Sequence, residues 1–137
     1  MSEKNNIKAQ TAFGDAVNNG DFDAFDGLVA ADCVDHDPAP GQEPGPAGYR
    51  ALFTNMRTAF PDLHLEVEHL VADENNVAFA YTVTGTHEGP FMGHESTGKS
   101  IRVRGMQISR FEGGRMVERW GSSDENGLLN QLGIEPR

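Results

Sequence analysis

Between Ile101 and Phe111 the chain alternates. Ile101, Val103, Gly105, Gln107, Ser109 and Phe111 fall on one set of positions, and Arg102, Arg104, Met106, Ile108 and Arg110 on the other. A period of two predicts a strand with two unlike faces. Glu112-Gly113-Gly114-Arg115 follows, and paired glycines accept the positive φ of a tight hairpin turn. Met116 to Ser123 predicts the returning strand, and Asp124 stands where it ends. Upstream, Leu63, Leu65, Val67 and His69 alternate with His64, Glu66 and Glu68, while Val77, Phe79, Tyr81 and Val83 alternate with small residues and threonines. Two more strands are expected there, joined by a turn at Asp73-Glu74-Asn75-Asn76.

The first half has a different period. Ile7, Ala9, Phe13, Ala16 and Val17 form a loose helical stripe that stops at Asn18-Asn19-Gly20. Asp21 is placed to cap a short helix through Phe22, Phe25, Leu28 and Val29. Residues 31–46 read as turns, with Pro38, Pro40, Pro44 and Pro46. Tyr49, Leu52, Phe53, Met56, Ala59 and Phe60 share one face of a third helix, which Pro61 ends. Asn126 to Gln131 predicts a final helical turn or two. Helices followed by four consecutive antiparallel strands give an α+β expectation, with helices packed on one face of a curved sheet.

Length makes this one domain over residues 1–137, large enough to bury a real core. A formal net charge of −10 argues against nucleic acid and anionic membrane surfaces as partners, since both recruit clustered Lys and Arg. The single cysteine, Cys33, excludes an intramolecular disulfide and reads as a small buried filler in a reducing compartment. Met1-Ser2-Glu3-Lys4-Asn5-Asn6 lacks a signal-peptide core, so a cytoplasmic location is expected.

Several residue groups carry potential chemistry. Gly93-His94-Glu95-Ser96-Thr97-Gly98-Lys99-Ser100 matches the letters of a phosphate-binding loop, but Lys99 opens an alternating strand where that mechanism needs a helix N-terminus. Nucleotide binding is not expected. His87, Glu88, His94 and Glu95 are metal-ligand types spread over a Gly/Pro loop, with no helical spacing to make them converge, so no metal is expected. In Asp35-His36-Asp37 a carboxylate beside an imidazole could tune a base, or the aspartates could simply close a turn. Gln107 lies on an otherwise largely apolar strand face and needs a partner, from the protein or from a ligand. Trp120 and Asp124, four apart in a period of two, would share one side of a strand. An aromatic wall there would disfavour the ionised carboxyl and favour acid/base work, while helix capping by Asp124 ahead of Glu125-Asn126-Gly127 is the structural alternative. Arg119, on the other alternate position, would face away.

The ordered set Asp35-His36-Asp37, Gly45-Pro46-Ala47-Gly48-Tyr49-Arg50, Ala59-Phe60-Pro61-Asp62, Gly85-Thr86-His87-Glu88-Gly89-Pro90-Phe91, Thr97-Gly98, Glu118-Arg119-Trp120, Asp124, Gly127-Leu128-Leu129 and Gln131-Leu132-Gly133 resembles the SnoaL-like polyketide (ester) cyclases of the nuclear-transport-factor-2-like superfamily. The resemblance implies a cone-shaped α+β fold: a curved mixed sheet wrapped by three helices around a deep apolar cavity, assembled as a homodimer or homotetramer. It also implies ring closure of a polyketide ester by intramolecular aldol condensation without cofactor or metal, with Asp124 matching the family's acid/base aspartate. His36 and Gln107 would polarise carbonyl oxygens, and Tyr49, Phe53, Met56, Phe60 and Trp120 would wall a small apolar or aromatic ester, the first four with core packing as the alternative. Ser109 and Ser122 stand near places where the anthracycline cyclases carry histidines. Two rival expectations share the cavity: hydrolysis of an epoxide or lactone, and non-catalytic binding of a small molecule.

Overall fold

A computed structural model describes residues 3–134. Helix α1 spans Glu3–Asn19; a 3-10 turn at Phe22–Ala24 runs directly into the single-turn helix α2, Phe25–Leu28. Strand β1 (Val29–Asp35) follows, then α3 (Gly45–Ala59), β2 (His64–Ala72), β3 (Asn76–Thr86), β4 (Ser100–Glu112), β5 (Arg115–Ser123) and α4 (Glu125–Leu132). The sheet has five strands in the order β1-β5-β4-β3-β2, antiparallel throughout except that β1 lies parallel to β5.

Strand β4 shows why the period-two reading works. Ile101, Val103, Gly105, Gln107, Ser109 and Phe111 are all buried, while Arg102, Arg104, Met106 and Ile108 are exposed. Helices α1, α2 and α3 pack on one another through aromatic rings: Phe13 stacks on Phe25 with ring centroids 4.8 Å apart and meets Tyr49 edge-on at 5.8 Å. Gly113 and Gly114 turn the hairpin at φ 59° and 81°, a region closed to most side chains. Gly105 serves a different need. A Cβ there would lie 2.4 Å from the Tyr81 ring, so its absence lets that ring lie flat on the strand.

The sheet differs from the sequence expectation in one strand. Residues 29–35 pair with β5 instead of forming part of a turn-rich stretch, which makes the sheet five-stranded and mixed. The reason is local: the buried positions are Val29 and Cys33, four apart, and the register shifts between Val29 and Val34. A bulged edge strand carries no period of two. Cys33 is buried as expected, and burial together with the charge of Asp35 raises its thiol to about 11. No described helix is long and apolar enough to cross a membrane.

Candidate active site

Helices α1 and α3 and the inner face of the sheet enclose a cleft of about 1420 Å³. Its wall is largely apolar: Phe13, Tyr49, Leu52, Phe53, Met56, Phe79 and Val103 all contribute. A hydrogen-bonded polar centre spans the adjacent strands β1, β5 and β4. Asp35, at the end of β1, lies opposite Arg119 in the parallel register, so both side chains enter the same face. Arg119 Nη1 donates to both carboxylate oxygens of Asp35 at 3.1 and 3.2 Å, and its Nε donates to Gln107 Oε1 at 2.8 Å. Gln107 Nε2 in turn donates to Ser109 Oγ at 2.9 Å.

Asp35 accepts more. The Tyr49 hydroxyl donates to it at 2.8 Å, Gln42 Nε2 at 3.3 Å, and the Asp37 backbone N–H at 2.9 Å. Burial alone would raise the Asp35 carboxyl, but the Arg119 charge and these three donors outweigh it and hold the group below the usual carboxylate range. Burial, then the neighbouring Asp35 charge and the bond made to it, pushes the Tyr49 hydroxyl well upward. Tyr49 is therefore a donor here and stays un-ionised. An ionised carboxylate with this many donors is a poor base.

At the mouth, Asp124 follows β5 directly. Its Oδ1 accepts the Gly127 N–H at 2.8 Å and so caps α4, while its own N–H donates to the Arg104 carbonyl at 3.1 Å. Asp124 is exposed and lines the cleft, as does Ser122. Capping and access to the cleft coexist, because only one carboxylate oxygen serves the helix.

The candidate residues divide accordingly. Tyr49, Phe53, Met56, Gln107, Ser122 and Asp124 all border the cleft. Ser109 is fully buried beneath Gln107 and does not border it. Phe60 is a core residue packed against His87 and Phe91. Trp120 is paired with Ile108 on the outer face of the sheet, where its ring stacks on His36 at 4.7 Å. Facing outward, it cannot wall off Asp124. His36 points the same way, with Nε2 2.8 Å from Glu118 Oε2, and both lie away from the cleft lining. Arg119, by contrast, points into the cleft, opposite to expectation: side chains on β5 alternate, and it shares its side with Gly121 while Trp120 takes the other.

Asp35 and Arg119 are the polar centre that local sequence does not mark. They are separated by 84 residues and meet only through the β1–β5 register. Gln10 of α1 is a second such residue: it borders the cleft, is buried, and its Oε1 has no partner among the described residues. Knowing β1 as a strand would have exposed the first pair. No pattern would have revealed Gln10. The segment matching a phosphate loop lies in the connection before β4 with no helix after it, and His87 within that connection uses Nδ1 to accept the Thr97 N–H at 3.2 Å. Among the described residues no three His, Cys, Asp or Glu side chains form a metal-binding group.

The family model for SnoaL-like polyketide cyclases matches residues 7–132. No curated protein sequence matches the chain. Among solved structures, TsrD from Streptomyces laurentii superposes with a TM-score of 0.89 at 26% identity, covering 98% of this chain and 99% of that one. AclR from Streptomyces galilaeus, described as a candidate hydroxylase, gives 0.85 at 32% identity over 98% and 100% of the two chains. IdmH from Streptomyces antibioticus, described as a candidate polyketide cyclase, gives 0.81 at 30% identity over 94% and 99%. With the family model spanning nearly all of its length and the same α+β architecture throughout, this chain belongs to the SnoaL-like polyketide cyclase family.

Proposed function

We propose that the protein closes a ring in an aromatic β-keto ester by intramolecular aldol condensation, without a cofactor, using Asp124 as acid and base. One observation carries this reading: an apolar, aromatic-walled cleft with a hydrogen-bonded Asp35–Arg119–Gln107 centre on adjacent strands and a half-committed carboxylate at its mouth. The carboxylate oxygen of Asp124 not engaged by α4 takes a proton from the carbon between two carbonyls. The resulting enolate carbon attacks a second carbonyl of the same molecule and forms the new C–C bond. The alkoxide then takes the proton back from Asp124. The step is redox-neutral and conserves mass. Gln107, clamped between Arg119 and Ser109, gives the inner wall a fixed polar edge. The working unit in this reading is a homodimer joined through the outer sheet face.

The test is turnover of a panel of aromatic β-keto methyl esters, followed by chromatography and mass spectrometry. The expected product has the substrate's mass and a new ring, and Asp124→Asn lowers its rate by about 10²-fold or more. Unchanged turnover in that variant removes Asp124 from the chemistry. A second reading, addition of water to an epoxide or lactone, is favoured by the presence of Arg119 within the cleft. It would appear in the same assay, run on epoxides and lactones, as products heavier by one water.

A further inference from the structure

The Arg119 guanidinium is only partly used by the protein. Nε is committed to Gln107 and Nη1 to Asp35, while Nη2 makes no hydrogen bond to any described residue. Nη2 is folded back along β5 over Gly121, where a Cβ would stand 2.4 Å from it. Glycine at 121 is therefore the condition for that position. Arg119 borders the cleft and its side chain keeps 18% of its exposure, so the free donor is accessible from the cleft.

We infer that Arg119 Nη2 is the donor that receives the enolate oxygen as it forms, and that the substrate enters the cleft as a neutral ester or ketone and not as a free acid. This deepens the aldol reading and rests on it. Three points carry it. Asp35 holds the guanidinium at Nη1 with both carboxylate oxygens while Gln107 holds Nε, and Asp35 is itself saturated by donors, so it acts as a positioning residue and leaves the base role to another carboxylate. Arg119, on β5, and Asp124, directly after it, both border the cleft, so a substrate lying along the end of that strand meets a donor and a base on the same wall. Finally, Arg119 is the only Lys or Arg bordering the cleft among the described residues, against Asp15, Asp37, Glu66, Asp124 and Glu125.

Charge decides which substrate state gains. With the substrate's carbonyl on Nη2, the carboxylate of a free acid would lie away from that donor among the five acidic side chains of the lining and be repelled, whereas an oxyanion seated on Nη2 has its own partner. An oxygen that becomes negative only after Asp124 has taken the proton gains a charge-assisted bond from Nη2 at that moment. In the balanced step, the C–H electron pair moves to the C=C bond and the carbonyl pair to oxygen; Arg119 stays protonated throughout.

The probe is 4-nitrophenol, whose phenolate mimics an enolate oxygen and reports its own ionisation by absorbance. Wild type is expected to bind the phenolate at least about tenfold more tightly than the phenol, since an oxyanion donor of this kind is worth about 10²–10³-fold in rate. Arg119→Met is expected to abolish that preference. Arg119→Lys, a milder change, should reduce it, because an ammonium lacks the fork that places Nη2. Asp35→Asn should weaken it through loss of positioning, and Asp124→Asn should retain it. In parallel, the methyl ester of a β-keto probe should compete for the cleft at least about tenfold better than its free acid. Absence of phenolate preference in wild type, its persistence in Arg119→Met, or tighter binding of the free acid each overturns the inference. Loss of turnover in Asp124→Asn belongs to the aldol reading alone, so the two fail separately.

Discussion

Asp35 is the residue whose chemistry is most constrained by its surroundings. Its carboxyl is held below the usual range, against the opposing effect of burial, by Arg119, the Asp37 N–H, Tyr49 and Gln42. A group whose value is lowered on folding contributes stability above the unfolded value, and that stability is lost as pH falls through the folded one. The window lies below about pH 4, the ordinary aspartate value. Wild type should therefore lose stability steeply on acidification below that point, while Asp35→Asn should show a flatter acid limb. At neutral pH the same variant should be less stable by about 3–5 kcal/mol, because it leaves the Arg119 charge without its buried partner. Urea melts of both proteins from pH 7 to pH 3 check both statements; parallel acid limbs would show that Asp35 is not the group responsible. His36 illustrates the opposite case. It is adjacent in sequence and has the more versatile side chain, yet it is held by Glu118 and Trp120 on the outer face.

Among the elements, α4 links stability to the cleft most directly. Gly127 supplies the N–H that Asp124 accepts, and a Cβ on residue 127 would sit 2.2 Å from Asp124 Oδ2. Gly127→Ala should therefore push the carboxylate off the helix, costing about 1 kcal/mol of cap energy despite alanine's better helix propensity. Thermal melts and turnover should fall together, whereas an increase in stability would mean that the Asp124 side chain simply swings aside. The elements also show what a sequence reveals. Strands β3 and β4 are legible because buried positions recur along one face, β2 because its apolar and polar residues alternate, β5 because paired glycines turn the chain back from β4, and α1 and α3 because their apolar stripes recur every three to four residues. Strand β1 is not, because its bulge breaks the period and its neighbours are prolines. The Asp35–Arg119 centre was lost with it, since a long-range register is set by pairing and leaves no trace in either local segment. Asp124 and Gln107 were legible because a strand end and a polar residue on a dry face are both local signals.

For the molecule as a whole, the outer sheet face is as informative as the cleft. Val34 on β1 and Met106 and Ile108 on β4 are 50%, 66% and 45% exposed, on either side of Trp120 of β5, which stacks on His36. Arg104 and Arg110 flank them, paired with Glu68 and with Glu112 and Glu118. Contiguous apolar surface with a paired, polar rim is the composition of an interface core. Sedimentation velocity should find a dimer, and the double variant Met106→Glu, Ile108→Glu should sediment as a folded monomer; a monomeric wild type would end that part of the proposal. The parallel joint between β1 and β5 has a further consequence, this one for synthesis. Residues 35 and 119 are 84 apart, so a ribosome adding 5–20 residues per second leaves β1 without its partner strand for roughly 4–17 s. During that interval both edges of β1 are open, and Asp32 and Asp35 within it are charges of the kind that disfavour pairing with another nascent chain. The carboxylate that later anchors Arg119 thus serves first as a guard against aggregation.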